Sequence, residues 1–115
     1  MCARLQQVIA ECPAAITHVL TEAYSTLTRL PQPFRLSPKS CLAFLSAAFH
    51  ATPLAVSVSG QLRIMELLAE NGVTGGAIYD CLIAETAREH GATLVSLDRR
   101  ALRNYSLVAG DHQLL

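Results

Sequence analysis

Apolar and polar positions along this chain follow two periods, one near 3.6 residues and one near two, and the switches between them mark the elements. Arg4–Ala10 is short and helix-compatible, with Leu5, Val8 and Ile9 apolar, and Pro13 ends it. Ala14–Val19 fits a short strand. Thr21–Leu30 fits a helix whose apolar face is Ala23, Tyr24, Leu27 and Leu30, and Pro31-Gln32-Pro33 stops it. Ser37-Pro38 is a helix start, with Ser as N-cap and Pro at the first helical position. Cys41, Phe44, Leu45, Ala48 and Phe49 follow at helical spacing as a core-facing stripe. After Pro53, Leu54, Val56 and Val58 alternate with Ala55 and Ser57, the pattern of a strand. Ser59 is placed to cap a helix running to Asn71, which Asn71-Gly72 closes.

The stretch Gly75–Arg100 is the most ordered part of the pattern. Gly75 and Gly76 break the chain, and Ala77–His90 holds no Pro or Gly and has the composition of a helix. Gly91 stands where a left-handed C-cap glycine belongs. Thr93–Leu97 is a short apolar run that fits a buried strand, and Asp98 follows at once. Beyond it, Arg99–Arg103 suits a short helix, Ser106–Ala109 a last short strand and Asp111–Leu115 a loose tail. Strands alternating with helices imply an α/β fold, a mostly parallel sheet covered on both faces.

Composition narrows the class. The 115 residues suit one domain, 51% are apolar and 16% are charged. That charged share lies below the usual level of about 25%, so the chain is expected to hide surface in a homodimer or under a partner. No apolar run approaches the roughly 20 residues that span a bilayer, and Met1–Leu5 lacks the form of a signal peptide. No membrane association and a cytoplasmic location are the expectation.

Net charge is zero and gives no support for a nucleic-acid partner. The distribution is less even, because Arg88, Arg99, Arg100 and Arg103 bracket Asp98. Such a cluster either holds phosphates or forms a solvated surface. The cysteines at 2, 12, 41 and 81 form no Cys-x-x-Cys pair, and the histidines at 18, 50, 90 and 112 show no ligand spacing with them. They read as thiols in a reducing compartment rather than a zinc site.

Two acids stand out. Asp80 shares a helix stripe with Ile83, Ala84 and Ala87. It is either a first-turn acid favoured by the helix dipole or a carboxylate held by a partner such as a metal or a base. Glu22 lies beside Ser25, Thr26 and Arg29, and by itself reads as a dipole-complementing glutamate.

The run Gly75-Gly76, Asp80-Cys81-Leu82-Ile83-Ala84, Gly91-Ala92, Thr93–Leu97 and Asp98 resembles the C-terminal half of PIN-domain ribonucleases, in particular the VapC toxins of bacterial toxin–antitoxin pairs. Glu22-Ala23-Tyr24 matches the step that follows the second strand of those proteins. The resemblance runs from about Thr17 onward. It implies a PIN-like three-layer α/β fold and an endoribonuclease neutralised by a cognate antitoxin, with RNA as substrate. In a parallel sheet, sites form at the C-terminal strand ends, which brings Glu22, Asp80 and Asp98 toward one edge. Three carboxylates without a basic partner need a hard cation, Mg²⁺ or Mn²⁺, to activate water and stabilise charge on a phosphodiester.

One part of the family pattern has no match. PIN domains begin with a central strand carrying a first essential Asp, and nothing before Glu11 resembles it. Ser96 matches the position that would hydrogen-bond that Asp. The single domain is therefore expected to be N-terminally incomplete. As written it would be poorly soluble and inactive, because unpaired buried backbone groups cost about 1–3 kcal/mol each. An upstream extension holding a strand and a helix would restore it. Three readings remain: a VapC-like endoribonuclease, a non-catalytic remnant that binds an antitoxin or sister chain, and an unrelated doubly wound binding domain. The last has no Gly-x-Gly-x-x-Gly and no Walker lysine behind it.

Overall fold

A computed structural model of the chain describes Gln7 and residues 13–114. In order, the elements are α1 (Thr17–Leu27), α2 (Pro38–Ala48), α3 (Val58–Glu70), α4 (Ala77–Glu89), β1 (Thr93–Ser96), the single-turn α5 (Leu102–Tyr105) and β2 (Asp111–Leu114). The helix expected over Arg4–Ala10 lies outside the described residues apart from Gln7, which is helical and exposed. The same holds for Cys2, Cys12 and the segment expected to lack a first strand. The chain divides into two compact units, Met1–Leu54 and Ala55–Leu115.

In the first unit α1 and α2 pack together. The strand expected over Ala14–Val19 is reduced to one parallel bridge, Ile16 to Leu54, with Thr17 N–H donating to Leu54 O and Leu54 N–H to Ala15 O, both at 2.9 Å. The reason is phase. Ile16, Leu20, Ala23 and Leu27 are spaced i, i+4, i+7 and i+11, and all four are half-buried, while Val19 and Tyr24 are exposed. The helix thus begins at Thr17, four residues before Thr21, and overrides the short strand pattern. In α2, Ser37 caps as expected, its Oγ accepting from Ser40 N–H at 3.2 Å, with Pro38 in the first turn. Cys41 and Leu45 are the buried pair of α2. Phe44 is 56% exposed and does not face the core, because it lies about 100° around the helix from Leu45.

The second unit holds the sheet. The strand expected over Leu54–Val58 is absent beyond the Leu54 bridge, because Ser57 rather than Ser59 caps α3, its Oγ accepting from Gly60 N–H at 2.9 Å. That cap is tied to α4: Glu89 accepts from the Ser57 hydroxyl at 2.6 Å and from Ser57 N–H at 3.0 Å. Gly60, Ile64 and Leu68 bury one face of α3, and Cys81, Ala84 and Ala87 bury one face of α4. Gly91 has φ 61°, the expected left-handed residue, and Ala92 N–H reaches back to Ala87 O at 2.9 Å. The chain then enters β1.

β1 and β2 pair in parallel, with Thr93 opposite Asp111 and Ser96 opposite Leu114. This corrects two expectations. Ser106–Ala109 is a turn in which Val108 is buried, and the expected tail is the second strand. In Asp111–Leu114 the pattern is exposed, half-buried, exposed, half-buried, so His112 and Leu114 point inward. The short helix after Asp98 forms over Leu102–Tyr105, later than Arg99–Arg103, and serves as the crossover between parallel strands. The result is an α/β fold with a parallel sheet. No helix among the described residues is long and apolar enough to cross a membrane.

Candidate functional site

Asp80 stands in the first turn of α4, half-buried. Its Oδ2 accepts a hydrogen bond from Asn104 Nδ2 at 2.8 Å. The next residue, Cys81, is fully buried, and its Sγ donates to Asn104 O at 3.4 Å. Burial first, and then the charge of Asp80, push the Cys81 thiol above its ordinary value. A protonated buried thiol is a packing group rather than a nucleophile.

Asp98 follows β1 and is exposed. Its Oδ1 accepts from the backbone N–H groups of Arg100 and Ala101, at 2.9 and 3.4 Å, and so closes the turn that leads into α5. Asp98 N–H donates to Ser96 Oγ at 3.0 Å. Among the described residues, Asp80 Oδ1 and Asp98 Oδ2 accept no hydrogen bond.

Tyr105 connects the two acids. It is buried on α5, and its hydroxyl meets the Ser96 side chain. Burial holds this phenol above its ordinary pKa; the Ser96 hydrogen bond lowers it, and the nearby charges of Asp80 and Asp98 raise it. Both carboxylates therefore act on one buried hydroxyl, and the phenol stays neutral. A strand end, a helix first turn and a one-turn crossover thus gather Ser96, Asp98, Asp80, Asn104 and Tyr105.

Glu22 sits in the first unit on α1, exposed, with Oε1 at 2.8 Å from His18 Nε2. The pair is spaced i, i+4. Among the described residues, no three His, Cys, Asp or Glu side chains form a group that could hold a metal ion. Within the second unit the candidate donors are the Asp80 and Asp98 carboxylates.

The expected arginine cluster loses one member. Arg88 turns to Glu85 on its own helix, with Nε and Nη2 both donating to the carboxylate. Arg99, Arg100 and Arg103 are exposed and form no ion pair among the described residues. Glu85 itself has no exposed surface, and Arg63 meets it from α3 through Nε at 2.8 Å and Nη2 at 2.7 Å. Burial pushes the Glu85 carboxyl up, but the hydrogen bonds and charges of Arg63 and Arg88 outweigh it and hold the group down to about 2.

Asn104, Tyr105 and Glu85 escape a sequence reading. The i, i+3 spacing of Glu85 and Arg88 was the one local signal for any of them. The partners of the other two lie 24 residues away for Asn104 and nine away for Tyr105, beyond the reach of periodicity.

The PIN domain family matches residues 3–107 of the chain. The chain is 38% identical over 100 residues to Ribonuclease VapC40 of Mycobacterium tuberculosis, covering 87% of this chain and 75% of that protein. It is 42% identical over 91 residues to Ribonuclease VapC27 of the same organism, covering 79% of this chain and 66% of that protein. No solved structure matches it significantly.

Proposed function

The chain belongs to the PIN-domain family, and from that premise we propose that it is a VapC-type endoribonuclease, a toxin that cuts RNA phosphodiester bonds. The observation that carries this reading is the pair of pinned carboxylates, Asp80 held by the Asn104 amide at 2.8 Å and Asp98 by the Arg100 N–H at 2.9 Å. Each carboxylate has one oxygen engaged by neutral donors and one that accepts no hydrogen bond among the described residues. Two such carboxylates, completed by water and phosphate oxygens, are the donor set that Mg²⁺ takes, and Mn²⁺ accepts the same ligands. Asp80 and Asp98 would hold the ion. When bound, the ion supplies an activated water and stabilises the charge that develops on the phosphodiester.

The chain's own residues supply the rest. The Arg100 and Ala101 N–H groups fix Asp98 by its Oδ1. Ser96 holds the backbone of Asp98. Arg99, Arg100 and Arg103 follow Asp98 in the chain, are exposed and form no ion pair among the described residues, and such cations suit the phosphates of an RNA strand.

The exposed Leu42 and Phe44 on α2 favour a protein partner, a cognate antitoxin or a second copy forming a homodimer. A cytoplasmic location follows from the substrate. Growth of a host on induction tests the reading. Any arrest that the chain causes is expected to be relieved by Asp80→Asn and by co-expression of the product of a neighbouring small gene. No arrest, combined with tight binding of that product, would favour the non-catalytic remnant instead.

A further inference from the structure

We propose that Asn104 is a positioning residue for Asp80, holding one oxygen of the carboxylate so that the other is presented to a divalent cation. The inference rests on the metal-dependent reading above. Asn104 is gripped by two consecutive residues of α4. Its side-chain amide donates to Asp80 Oδ2 at 2.8 Å, and its backbone carbonyl accepts from Cys81 Sγ at 3.4 Å. Both contacts are part-buried, so water competes poorly for them. The residue sits on the four-residue helix α5, which is fixed on its other side by Tyr105, buried and in contact with Ser96.

The chemistry of the amide suits this task. It is a neutral donor, so it orients the carboxylate without neutralising the charge that a cation requires. An arginine or lysine at the same place would form an ion pair and compete with the metal. An apolar residue would leave the carboxylate free to rotate. Asp80 Oδ1 accepts no hydrogen bond among the described residues, so the pinned geometry leaves one oxygen for a ligand. Partners of this kind, which hold metal ligands rather than touch the metal, are worth about 10–100-fold in affinity or activity.

Mn²⁺ binding to the full chain, followed by electron paramagnetic resonance, tests the proposal alongside thermal unfolding. Asn104→Leu keeps the branched shape and removes the donor, and Asn104→Ala removes both. Each is expected to weaken Mn²⁺ binding about 10–100-fold while the protein remains folded. RNA cleavage by Asn104→Leu should recover in excess Mg²⁺, so the loss appears as a raised metal requirement rather than a lowered maximal rate. Asp80→Asn is the control on the underlying reading, and it should abolish binding without recovery. If Asp80→Asn weakens binding and neither Asn104 variant does, the positioning role is wrong and the metal reading stands. If the unaltered chain binds no more Mn²⁺ than a protein without the site, or if Asp80→Asn binds it as tightly as the unaltered chain, both fall. Unfolding of both Asn104 variants would also overturn the proposal, because it would make Asn104 an anchor of the fold.

Discussion

The Glu85 carboxylate takes two nitrogens of Arg63, at 2.8 and 2.7 Å, from a position with no exposed surface. It joins α3 to α4, and the Ser57–Glu89 contact joins the same two helices at one end. Asp80 stands in the first turn of this braced α4, so the brace keeps one proposed metal ligand in place.

The two ends of that ion pair differ in their surroundings. The Arg63 side chain is 45% exposed, while Glu85 is 0% exposed. Glu85→Gln releases arginines that water can solvate and is expected to cost about 2 kcal/mol, the value of hydrogen bonds to charged groups. Arg63→Met leaves a buried carboxylate with one partner, and about 3 kcal/mol is expected. Urea unfolding should therefore rank Arg63→Met as the less stable variant.

Acid should weaken the same brace. The folded Glu85 pKa is about 2, below its ordinary 4.5, so folding favours the ionised form. Its contribution is present in full above about pH 4.5 and is lost as pH falls from there through about 2. The unaltered chain should lose stability over that window more steeply than Glu85→Gln, as measured by denaturant midpoints at each pH.

Gly60 offers a test where two effects oppose. Gly to Ala inside a helix ordinarily stabilises by about 1 kcal/mol. Here a Cβ would stand 1.7 Å from Glu89 Oε1 and 3.0 Å from Ser57 Oγ. Glu89 would have to leave the cap that it supports, so Gly60→Ala is expected to destabilise. A raised midpoint of thermal unfolding would contradict the cap as described.

Local signals made part of this protein legible. Ser37-Pro38, Asn71-Gly72 and Gly91 are caps and stops that act within a few residues, and they placed α2, the end of α3 and the end of α4. Asp98 was marked by the strand before it. Two expected strands were lost because Ile16 and Val58 serve a helix or its start, and a five-residue apolar run fits either period. β2 was hidden because Asp111-His112-Gln113 is polar, and parallel pairing with β1 rather than propensity makes it a strand. The contacts Asn104–Asp80 and Arg63–Glu85 join residues more than twenty positions apart, and no spacing rule reaches that far.

Asp98 is expected to separate into two roles. Asn at position 98 keeps an oxygen that can accept from Arg100 and Ala101, so Asp98→Asn should retain stability and lose RNA cleavage. Asp98→Ala should lose cleavage and also about 1 kcal/mol of stability with the turn. Equal stability of the two variants would remove the turn-closing role.

The most direct measurement is cleavage of a labelled RNA by the purified chain in Mg²⁺, with Asp80→Asn beside it and circular dichroism on both. Any Mg²⁺-dependent cleavage is predicted to stop on chelation and to be absent from a folded Asp80→Asn. Cleavage that persists in Asp80→Asn, or in the presence of the chelator, would contradict the metal-dependent site built on Asp80 and Asp98.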